Sequence, residues 1–337
     1  MKQIFIENII QSIWYKKNIF YRIISLILIP FSFIYVLIFY LRKIFITPAK
    51  FDIPIICVGN CNVGGAGKTS TILSLIKIYK NQGLEIVVFL KGYKGKIKST
   101  TEVSIEKHSA YDVGDEALLY AEKTKTFIGN NRIESIKKII SKYNPDFLIL
   151  DDGFQDFKIK KDKNILVVNK DISFGNRLLL PAGPLREFPS SSINRSDIII
   201  EIGENNDNSL TNIYPDLVYD KLVDANISTS KNLSDNEYLA FSGIGNNNSF
   251  FNTLKQSGYK CVITKSFPDH YYYTEKDIKS ILDLAKQKKL IPITTKKDIK
   301  RLSKKQKVGI EFLEMNISRL DFYNNDNLHT SNLNFRK

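Results

Sequence analysis

The chain has 337 residues, of which 43% are apolar and 25% are charged, and its formal net charge is +14. This balance is typical of a globular protein, and it excludes a wholly disordered chain, a collagen-like or low-complexity protein and a multi-span membrane protein. The length leaves room for two domains. Three cysteines are too few for a disulfide framework, so we expect free thiols in a reducing compartment.

Two segments hold the excess positive charge. Residues 1–50 carry seven Lys or Arg against one acid, and residues 286–307 carry ten against one, so the rest of the chain is close to neutral. A near-neutral core argues against a nucleic-acid enzyme, and we expect no nucleic-acid partner. Basic segments of this kind fit an anionic membrane surface; a lysine-biased composition is the alternative explanation.

An apolar stretch lies near the N-terminus. Residues Ile23–Leu41 are nineteen in a row without a charge, which is long enough for a helix to cross a bilayer core. Basic residues flank both ends, so a simple span conflicts with the positive-inside rule, and Pro30 can kink a helix. We expect a membrane-associated helical segment over 1–47 that enters from the cytoplasmic face and lies tilted or shallow. A true single span and a buried core helix are the alternatives.

From residue 48 onward, short β-branched runs alternate with helical patterns. The runs are Ile53–Val58, Ile86–Leu90, Phe147–Leu150, Ile165–Val168 and Ile198–Ile202. Near-continuous apolar strands between helices predict a parallel α/β sheet covered on both faces, over 48–215. A polar stretch over 216–233 predicts a linker, and a smaller α/β domain is predicted over 234–330.

The first of these strands runs into a glycine-rich segment, GNCNVGGAGKT over 59–69, which a helical pattern follows at once. Such glycines let backbone N–H groups face a phosphate, and a helix N-terminus favours an anion. The sheet domain is therefore predicted to be P-loop NTPase-like, with Lys68 on the β- and γ-phosphates and the Thr69 hydroxyl on Mg²⁺. The predicted nucleotide-binding residues of the loop are Asn62, Val63, Gly64, Gly65, Ala66, Gly67, Lys68, Thr69 and Ser70.

Two details of this pattern matter. Asn62 stands where the first glycine of the usual GxxxxGK[ST] pattern is expected. The segment after the strand Ile165–Val168 resembles a guanine-reading NKxD motif, but the aspartate would fall at 172, where the chain has Ile172. We therefore predict ATP as the nucleotide.

Two acidic pairs are candidates for the chemistry. Asp151 and Asp152 follow a predicted strand, where a Mg²⁺-organising group belongs, although Asp-Asp-Gly is also good turn chemistry. Asp115 opens a predicted helix, either as its cap or as a general base that accepts a proton from a hydroxyl. His270 lies in a predicted loop of the second domain and is either structural or a partner of that base across a cleft.

Taken together, the motifs resemble the tetraacyldisaccharide 4′-kinase family of Gram-negative lipid A synthesis. The matching stretches are VGNCNVGGAGKT (58–69), KGY (91–93), VGDEALL (113–119), DDGFQD (151–156), FGNRLLLPAGPLREF (174–188), FPDHYYYT (267–274) and ITTKKD (293–298). The resemblance implies ATP- and Mg²⁺-dependent transfer of a phosphoryl group to the 4′-hydroxyl of a tetraacyldisaccharide 1-phosphate, giving lipid IVA.

The resemblance also implies residue roles. The implied catalytic residues are Asp115 as general base, His270 as its partner, Lys68 and Asp152. Gln155 and Arg186 join the loop in binding ATP, and the implied metal ligands are Thr69, Asp151 and Glu187; which of Asp151 and Asp152 binds metal stays open. Arg132 lies where the family has a basic residue facing phosphate. The departures from the family pattern are Lys91 for arginine, Asp156 for histidine, Arg177 for glycine and Lys296 for an acid.

The implied partners are an amphiphilic lipid disaccharide and the inner-membrane surface, with the enzyme a monomer on the cytoplasmic face of the bacterial inner membrane. The main alternative is a membrane-associated partition or targeting ATPase of the P-loop class. Its second lysine would stand just before the paired glycines, where the chain has Val63. A soluble small-molecule kinase is a further alternative.

Overall fold

The computed structural model describes residues 2–16, 18–203, 205–218, 221–229 and 235–318. The polar tail from residue 323, which the sequence suggests is frayed, lies outside the described residues. The described helices are α1 Lys2–Tyr15, α2 Ile19–Ile44, α3 Lys68–Asn81, α4 Ala110–Val113, α5 Asp115–Ala121, α6 Arg132–Tyr143, α7 Pro189–Arg195, α8 Leu210–Ile213, α9 Pro215–Val218, α10 Asn247–Gln256, α11 Glu275–Lys288 and α12 Lys296–Arg301, with a 3₁₀ turn at Asn206–Asn208.

The strands form two sheets. They are β1 Ile55–Gly59, β2 Ile86–Leu90, β3 Thr101–Glu102, β4 Lys125–Ile128, β5 Phe147–Asp151, β6 Lys163–Asn169, β7 Ile198–Ile202, β8 Leu222–Ser228, β9 Glu237–Ser242, β10 Lys260–Ser266, β11 Ile291–Thr295, β12 Glu311–Leu313 and β13 Asn316–Ser318. The nine-stranded sheet has the order β13-β8-β7-β6-β1-β5-β2-β4-β3, and the four-stranded sheet the order β10-β9-β11-β12. We call the nine-stranded sheet with its helices the first lobe and the four-stranded sheet with its helices the second lobe.

The first lobe is a doubly covered parallel sheet, as its apolar strands predict. From β8 to β4 every neighbouring pair is parallel, and only β3 and β13 pair antiparallel at the two edges. Side chains alternate between two buried clusters, so that Ile56 and Val58 face one cluster while Ile55 and Cys57 face the other. β1 lies between β5 and β6, which brings the carboxyl ends of β1 and β5 together at one edge of the sheet.

The second lobe repeats this arrangement on a smaller scale. All three pairings of its four strands are parallel, and buried clusters cover both faces of the sheet. Its helix α11 begins with a capping box in which Thr274 and Asp277 exchange hydrogen bonds. The fold prediction of two α/β units is therefore confirmed.

The connection between the lobes is more structured than a linker. The predicted linker 216–233 contains β8, which pairs with β7 in the first sheet, and residues 230–233 lie outside the described part of the chain. After β12 the chain returns from the second lobe and adds β13 to the edge of the first sheet beside β8. The prediction missed β8 because its sequence, LVDANIS, is short and polar for a strand.

The apolar N-terminal segment forms the long helix α2, which packs lengthwise against the first lobe. Ser32 Oγ donates to Leu179 O at 2.8 Å, and Tyr35 OH donates to Arg186 O at 2.8 Å. The opposite face of α2 is apolar and exposed; Phe33, for example, is 72% exposed. Among the described residues α2 is the one helix long and apolar enough to cross a membrane.

Candidate active site

The phosphate loop connects β1 to α3, as predicted. Gly64 and Gly67 adopt φ angles of 115° and 98°, where residues with a Cβ are strained. A Cβ on Gly67 would also lie 2.5 Å from Ile202 Cδ1. Both glycines are therefore required by the shape of the loop, which leads directly into the N-terminus of α3 at Lys68.

The structure explains why Asn62 can stand where the usual phosphate-loop pattern has its first glycine. It is not among the described residues with positive φ, so its position does not require glycine. Its side chain is buried and donates from Nδ2 to Ser173 O at 2.5 Å. Asn62 thus anchors the phosphate loop from beneath and does not line the cavity above it.

The segment 172–188 supports the loop from the side that faces α2. Val63 N donates to Pro184 O and Arg186 N donates to Cys61 O, both at 2.8 Å. The same segment binds α2 through the Ser32 and Tyr35 hydroxyls described above. The phosphate loop, this segment and α2 therefore form one continuous hydrogen-bonded unit.

A cluster of charges lies around Lys68. Its Nζ donates to Asn60 Oδ1 at 2.9 Å and lies 3.3 Å from Asp152 Oδ1. Arg186 Nη1 donates to both oxygens of Asp152, at 2.9 and 3.1 Å, and to Gln155 Oε1 at 3.3 Å. Burial alone would raise the pKa of Asp152, but the charges of Lys68 and Arg186 lower it well below its ordinary value. These cations converge where a polyphosphate would lie.

Asp151 ends β5 beside this cluster. Its Oδ2 accepts from Tyr120 OH at 3.0 Å, whereas its Oδ1 is buried and has no hydrogen-bond partner among the described residues. Burial raises the pKa of Asp151 to about 6, against the opposing charge of Lys68. A buried carboxylate oxygen left open in this way is suited to bind a cation such as Mg²⁺.

Glu187 is held differently. Arg195 Nη1 donates to Glu187 Oε2 at 2.6 Å and Arg195 Nη2 donates to Oε1 at 2.8 Å. Gln155 Nε2 also donates to Oε1, at 3.0 Å. Glu187 is buried and does not line the cavity, so in this arrangement it anchors Gln155, and its assignment as a metal ligand stays a prediction.

The lobes meet at Asp115 and His270, which we call the dyad. The two side chains come from opposite lobes, and His270 Nδ1 lies 2.9 Å from Asp115 Oδ1. Gly114 occupies the N-cap position of α5, so the alternative that Asp115 merely caps this helix is wrong. Asp115 is 3% exposed and lies behind His270, which lines the cavity.

The charges around the dyad shift the pKa values of both of its residues. Burial would raise the pKa of Asp115, but the Arg301 charge and the hydrogen bond with His270 hold it well below its ordinary value. Burial would lower the pKa of His270, but the hydrogen bond with Asp115 and the charge of Glu116 outweigh burial and raise it. Arg301 was not among the predicted site residues. The one sign of it in the sequence is its position three residues after the ITTKKD stretch.

The four residues that depart from the family pattern can each be placed in the structure. Two of them form ion pairs, one has an unusual backbone angle and one lines the cavity. Asp156 pairs with Arg132 at 3.1 Å, and Arg132 Nη2 also donates to the backbone oxygen of Asp152 at 3.0 Å. Lys296 pairs with acids in both lobes. Arg177 has a positive φ of 62°, and Lys91 lines the cavity.

One cavity of about 1250 Å³ connects these groups. It is lined by the loop residues 63–70, by Asp151, Asp152, Gln155 and Arg186, and by His270 of the second lobe. It also reaches α2, where Tyr35, Ile38, Phe39 and Arg42 line it. Of the predicted site residues, Asn62, Asp115 and Glu187 lie behind this lining.

Comparisons with known proteins agree with this geometry. The family model described as tetraacyldisaccharide-1-P 4′-kinase matches residues 24–330. Proteins named tetraacyldisaccharide 4′-kinase from Rickettsia bellii and Rickettsia felis are each 38% identical over 294 residues, covering 87% of this chain and 89% and 88% of theirs. The crystal structure of LpxK from Aquifex aeolicus in complex with ATP matches with a TM-score of 0.70 and 28% identity, covering 91% of this chain and 99% of that one. The chain therefore belongs to the tetraacyldisaccharide-1-P 4′-kinase family and is a phosphotransferase that acts on a hydroxyl group.

Proposed function

We propose that the protein transfers the γ-phosphoryl group of ATP to the 4′-hydroxyl of a tetraacyldisaccharide 1-phosphate, giving lipid IVA. The observation that carries this proposal is that one cavity joins the phosphate loop, His270 of the dyad and the apolar helix α2. The phosphate loop suits a nucleotide, His270 suits a sugar hydroxyl, and the apolar residues of α2 suit a lipid. The names of the relatives and the ATP complex of the Aquifex aeolicus protein support the same substrates.

The phosphate loop would bind the triphosphate. Its backbone N–H groups and the N-terminus of α3 favour an anion, and Lys68, Arg186 and the amide of Gln155 lie beside it. In the structure Lys68 and Arg186 both contact Asp152. We infer that bound phosphate competes with Asp152 for these cations and that Asp152 holds them in place until then.

Mg²⁺ fits the residues beside this loop. The open, buried Oδ1 of Asp151 is a hard oxygen ligand, and the Thr69 hydroxyl lies in the same cavity wall. We propose these two groups as the protein ligands, with Asp152 beside them. When bound, the ion would neutralise charge that develops on the phosphate oxygens.

The dyad would receive the proton of the acceptor hydroxyl. His270 faces the cavity and Asp115 lies behind it, so we propose that His270 contacts the hydroxyl and that Asp115 orients His270 and stabilises its charge. The proton is taken up as the bond to phosphorus forms, because a sugar hydroxyl is too weak an acid to ionise beforehand. This arrangement exchanges the predicted roles, in which Asp115 is the general base and His270 is its supporting partner.

We also propose that α2 lies along the cytoplasmic surface of the inner membrane. Its contacts with the first lobe run from Ser25, which accepts from Asn176 Nδ2, to Lys43, which lies over the Phe157 ring. A helix standing across the bilayer would therefore carry the lobe into the hydrocarbon. Its exposed face is a continuous apolar stripe, suited to shallow insertion. The acyl chains could then remain in lipid while the sugar enters the cavity.

The kinase proposal is tested with purified protein in detergent micelles, labelled ATP, Mg²⁺ and the tetraacyldisaccharide 1-phosphate. We expect labelled lipid whose new phosphate is on the 4′ position. Hydrolysis of ATP without lipid phosphorylation would contradict the proposal. A water-soluble disaccharide without acyl chains serves as the control acceptor, and we expect a much lower rate with it.

The membrane proposal is tested by flotation with anionic phospholipid vesicles. The double variant Phe33→Glu, Leu37→Glu places charges on the exposed stripe, and we expect it to lose vesicle binding. Phe312→Glu changes an exposed apolar residue of the second lobe and should bind as the wild type does. Extraction of wild-type protein by alkaline carbonate is expected, and resistance to it would favour a true span.

A further inference from the structure

Helix α12 of the second lobe carries a row of cations that meets acids of α5 and of its C-cap residue, Glu122, in the first lobe. The pairs are Lys296 and Lys300 with Glu122, Lys297 with Glu116, and Arg301 with Asp115. Part of the positive charge of segment 286–307 is therefore neutralised at the lobe interface, where it is not available to a membrane surface.

Arg301 differs from the three lysines in its burial. Its side chain is 1% exposed and that of Asp115 is 3% exposed, whereas the lysine side chains are 18–27% exposed. Arg301 Nε donates to Asp115 Oδ2 at 3.1 Å, and Nη2 donates to the same oxygen. A buried ion pair is strongly attractive but is costly to leave half-paired, so this contact depends on accurate geometry.

The remaining nitrogen of Arg301 reaches the turn that carries His270. Arg301 Nη1 donates to Gly243 O at 2.6 Å, and the same oxygen accepts from His270 N at 3.0 Å. Asp298 completes the network, since its Oδ1 accepts from Arg301 Nη1 at 2.9 Å and from Gly243 N at 3.0 Å. One guanidinium therefore contacts the carboxylate of the dyad and the backbone support of its imidazole.

We propose that Arg301 is a positioning residue for phosphoryl transfer, because its planar guanidinium fixes Asp115 of the first lobe relative to the His270 turn of the second. Arg301 occupies Oδ2 of Asp115 and leaves Oδ1 for His270 Nδ1. The dyad then has its working geometry only when the two lobes are together. This inference rests on the proposed function of the dyad.

A purely structural tether between the lobes is the competing explanation, and the chain offers a matched control for it. Lys300 lies on the same helix as Arg301 and pairs across the same interface with Glu122, but its pair does not include either dyad residue. Lys300→Met removes a tether and leaves the dyad contacts in place. Arg301→Met removes a tether and the positioning contacts together.

The experiment compares kcat, the KM for ATP and thermal unfolding of wild type, Arg301→Met, Arg301→Lys and Lys300→Met in the micelle assay. We expect Arg301→Met to lower kcat about 100-fold with little change in the KM for ATP, since a small misplacement of a reacting group has an effect of this size. We expect Arg301→Lys, which keeps the charge without the planar fork, to lower kcat about tenfold. Lys300→Met should stay within about twofold of wild type.

A double-mutant comparison isolates the dyad. In an Asp115→Asn background, Arg301→Met should lower kcat little further, because a positioning residue acts through Asp115. Full additivity of the two losses, or an equal loss in Lys300→Met, would overturn the positioning role. If Arg301→Met does not fold, Arg301→Lys decides: a lowered kcat with an unchanged KM for ATP supports the role, and a wild-type kcat refutes it. Wild-type protein that cannot phosphorylate the lipid would refute the proposed function itself.

Discussion

The phosphate edge of the first lobe and the dyad at the lobe interface are built in different ways. By the phosphate edge we mean β1, the phosphate loop and α3, over 55–81, together with the end of β5. All of these belong to the first lobe. The dyad and its supporting residue Arg301 come from distant parts of the chain, since Asp115 is separated from His270 by 155 residues and from Arg301 by 186. Nucleotide binding is therefore preorganised in one lobe, whereas the dyad requires both lobes, and mutations should separate the two.

The largest effect is expected at the dyad. Asp115→Asn keeps the shape of the side chain but removes its charge, so His270 loses its stabilising partner. We expect kcat to fall by about 10²–10⁴-fold, the range usual for general acid–base groups. ATP affinity, measured with a fluorescent analogue and no lipid, should not change, because the phosphate loop lies in the other part of the site. A parallel loss of ATP affinity would break the separation of the two regions.

The converse change is at the phosphate edge. Lys68→Met removes the cation beside the phosphate loop, and we expect kcat/KM to fall by about 10²–10³-fold through both ATP binding and transition-state charge. The measurement is single-turnover phosphoryl transfer together with ATP binding. Lys77→Met, on the exposed face of the same helix, is the matched control and should behave as wild type. Lys68→Met with intact ATP affinity would argue against a preorganised phosphate edge.

The metal region is tested through Tyr120. Tyr120 OH donates to Asp151 Oδ2, so Tyr120→Phe removes a contact that orients the proposed metal ligand. We expect the Mg²⁺ concentration at half-maximal activity to rise by about tenfold, as for other groups that support a metal ligand. Saturating Mg²⁺ should restore most of kcat. Tyr79→Phe removes another buried hydroxyl in the same lobe and controls for stability.

The dyad also predicts a pH dependence. The pKa of His270 is raised above its ordinary value of 6.5 chiefly through Asp115 and Glu116, which outweigh burial, and Tyr93 and Asp269 also face its ring. A proton acceptor must be unprotonated, so kcat/KM should fall as the pH drops below this raised pKa.

The variant Glu116→Gln removes one of the charges that raise the pKa of His270. The acidic limb of the pH profile should then move to lower pH by up to about one unit. Glu106→Gln, an exposed and distant acid, should leave the limb in place; an unshifted limb in Glu116→Gln would exclude His270 as the titrating group.

The same contrast explains what the sequence could predict. The phosphate loop is recognisable because its glycines, Lys68 and Thr69 lie within one short segment between a strand and a helix. The sheet was predictable for the same reason from the apolar runs of β1, β2, β5, β6 and β7. A strand that is buried on both faces has apolar residues at consecutive positions, and this is a local pattern. The family resemblance joined Asp115 to His270, but spacing along the chain did not.

Long-range and polar features were harder to predict. Arg301 lies in a run of lysines, where each charge looks like part of a solvated face, and only the docking of α12 on α5 shows that this one is buried. β8 has acidic and amide residues among its apolar ones, and it is a strand because β7 offers it an edge to pair with. Neither the partner of a buried charge nor the free edge of a sheet can be read from a local pattern.

The smallest effect is expected where α2 meets the phosphate edge. Ser32 Oγ donates to Leu179 O and accepts from Ala182 N, so Ser32→Ala leaves two buried backbone groups of the supporting segment without this partner. We expect a loss of about 1–2 kcal/mol in the free energy of unfolding, measured by denaturant titration, with kcat nearly unchanged. Ser25→Ala, whose hydroxyl instead accepts from Asn176 Nδ2, should cost less. If Ser32→Ala lowers ATP affinity as well, then the phosphate edge is not complete within the first lobe and depends on α2 for its shape.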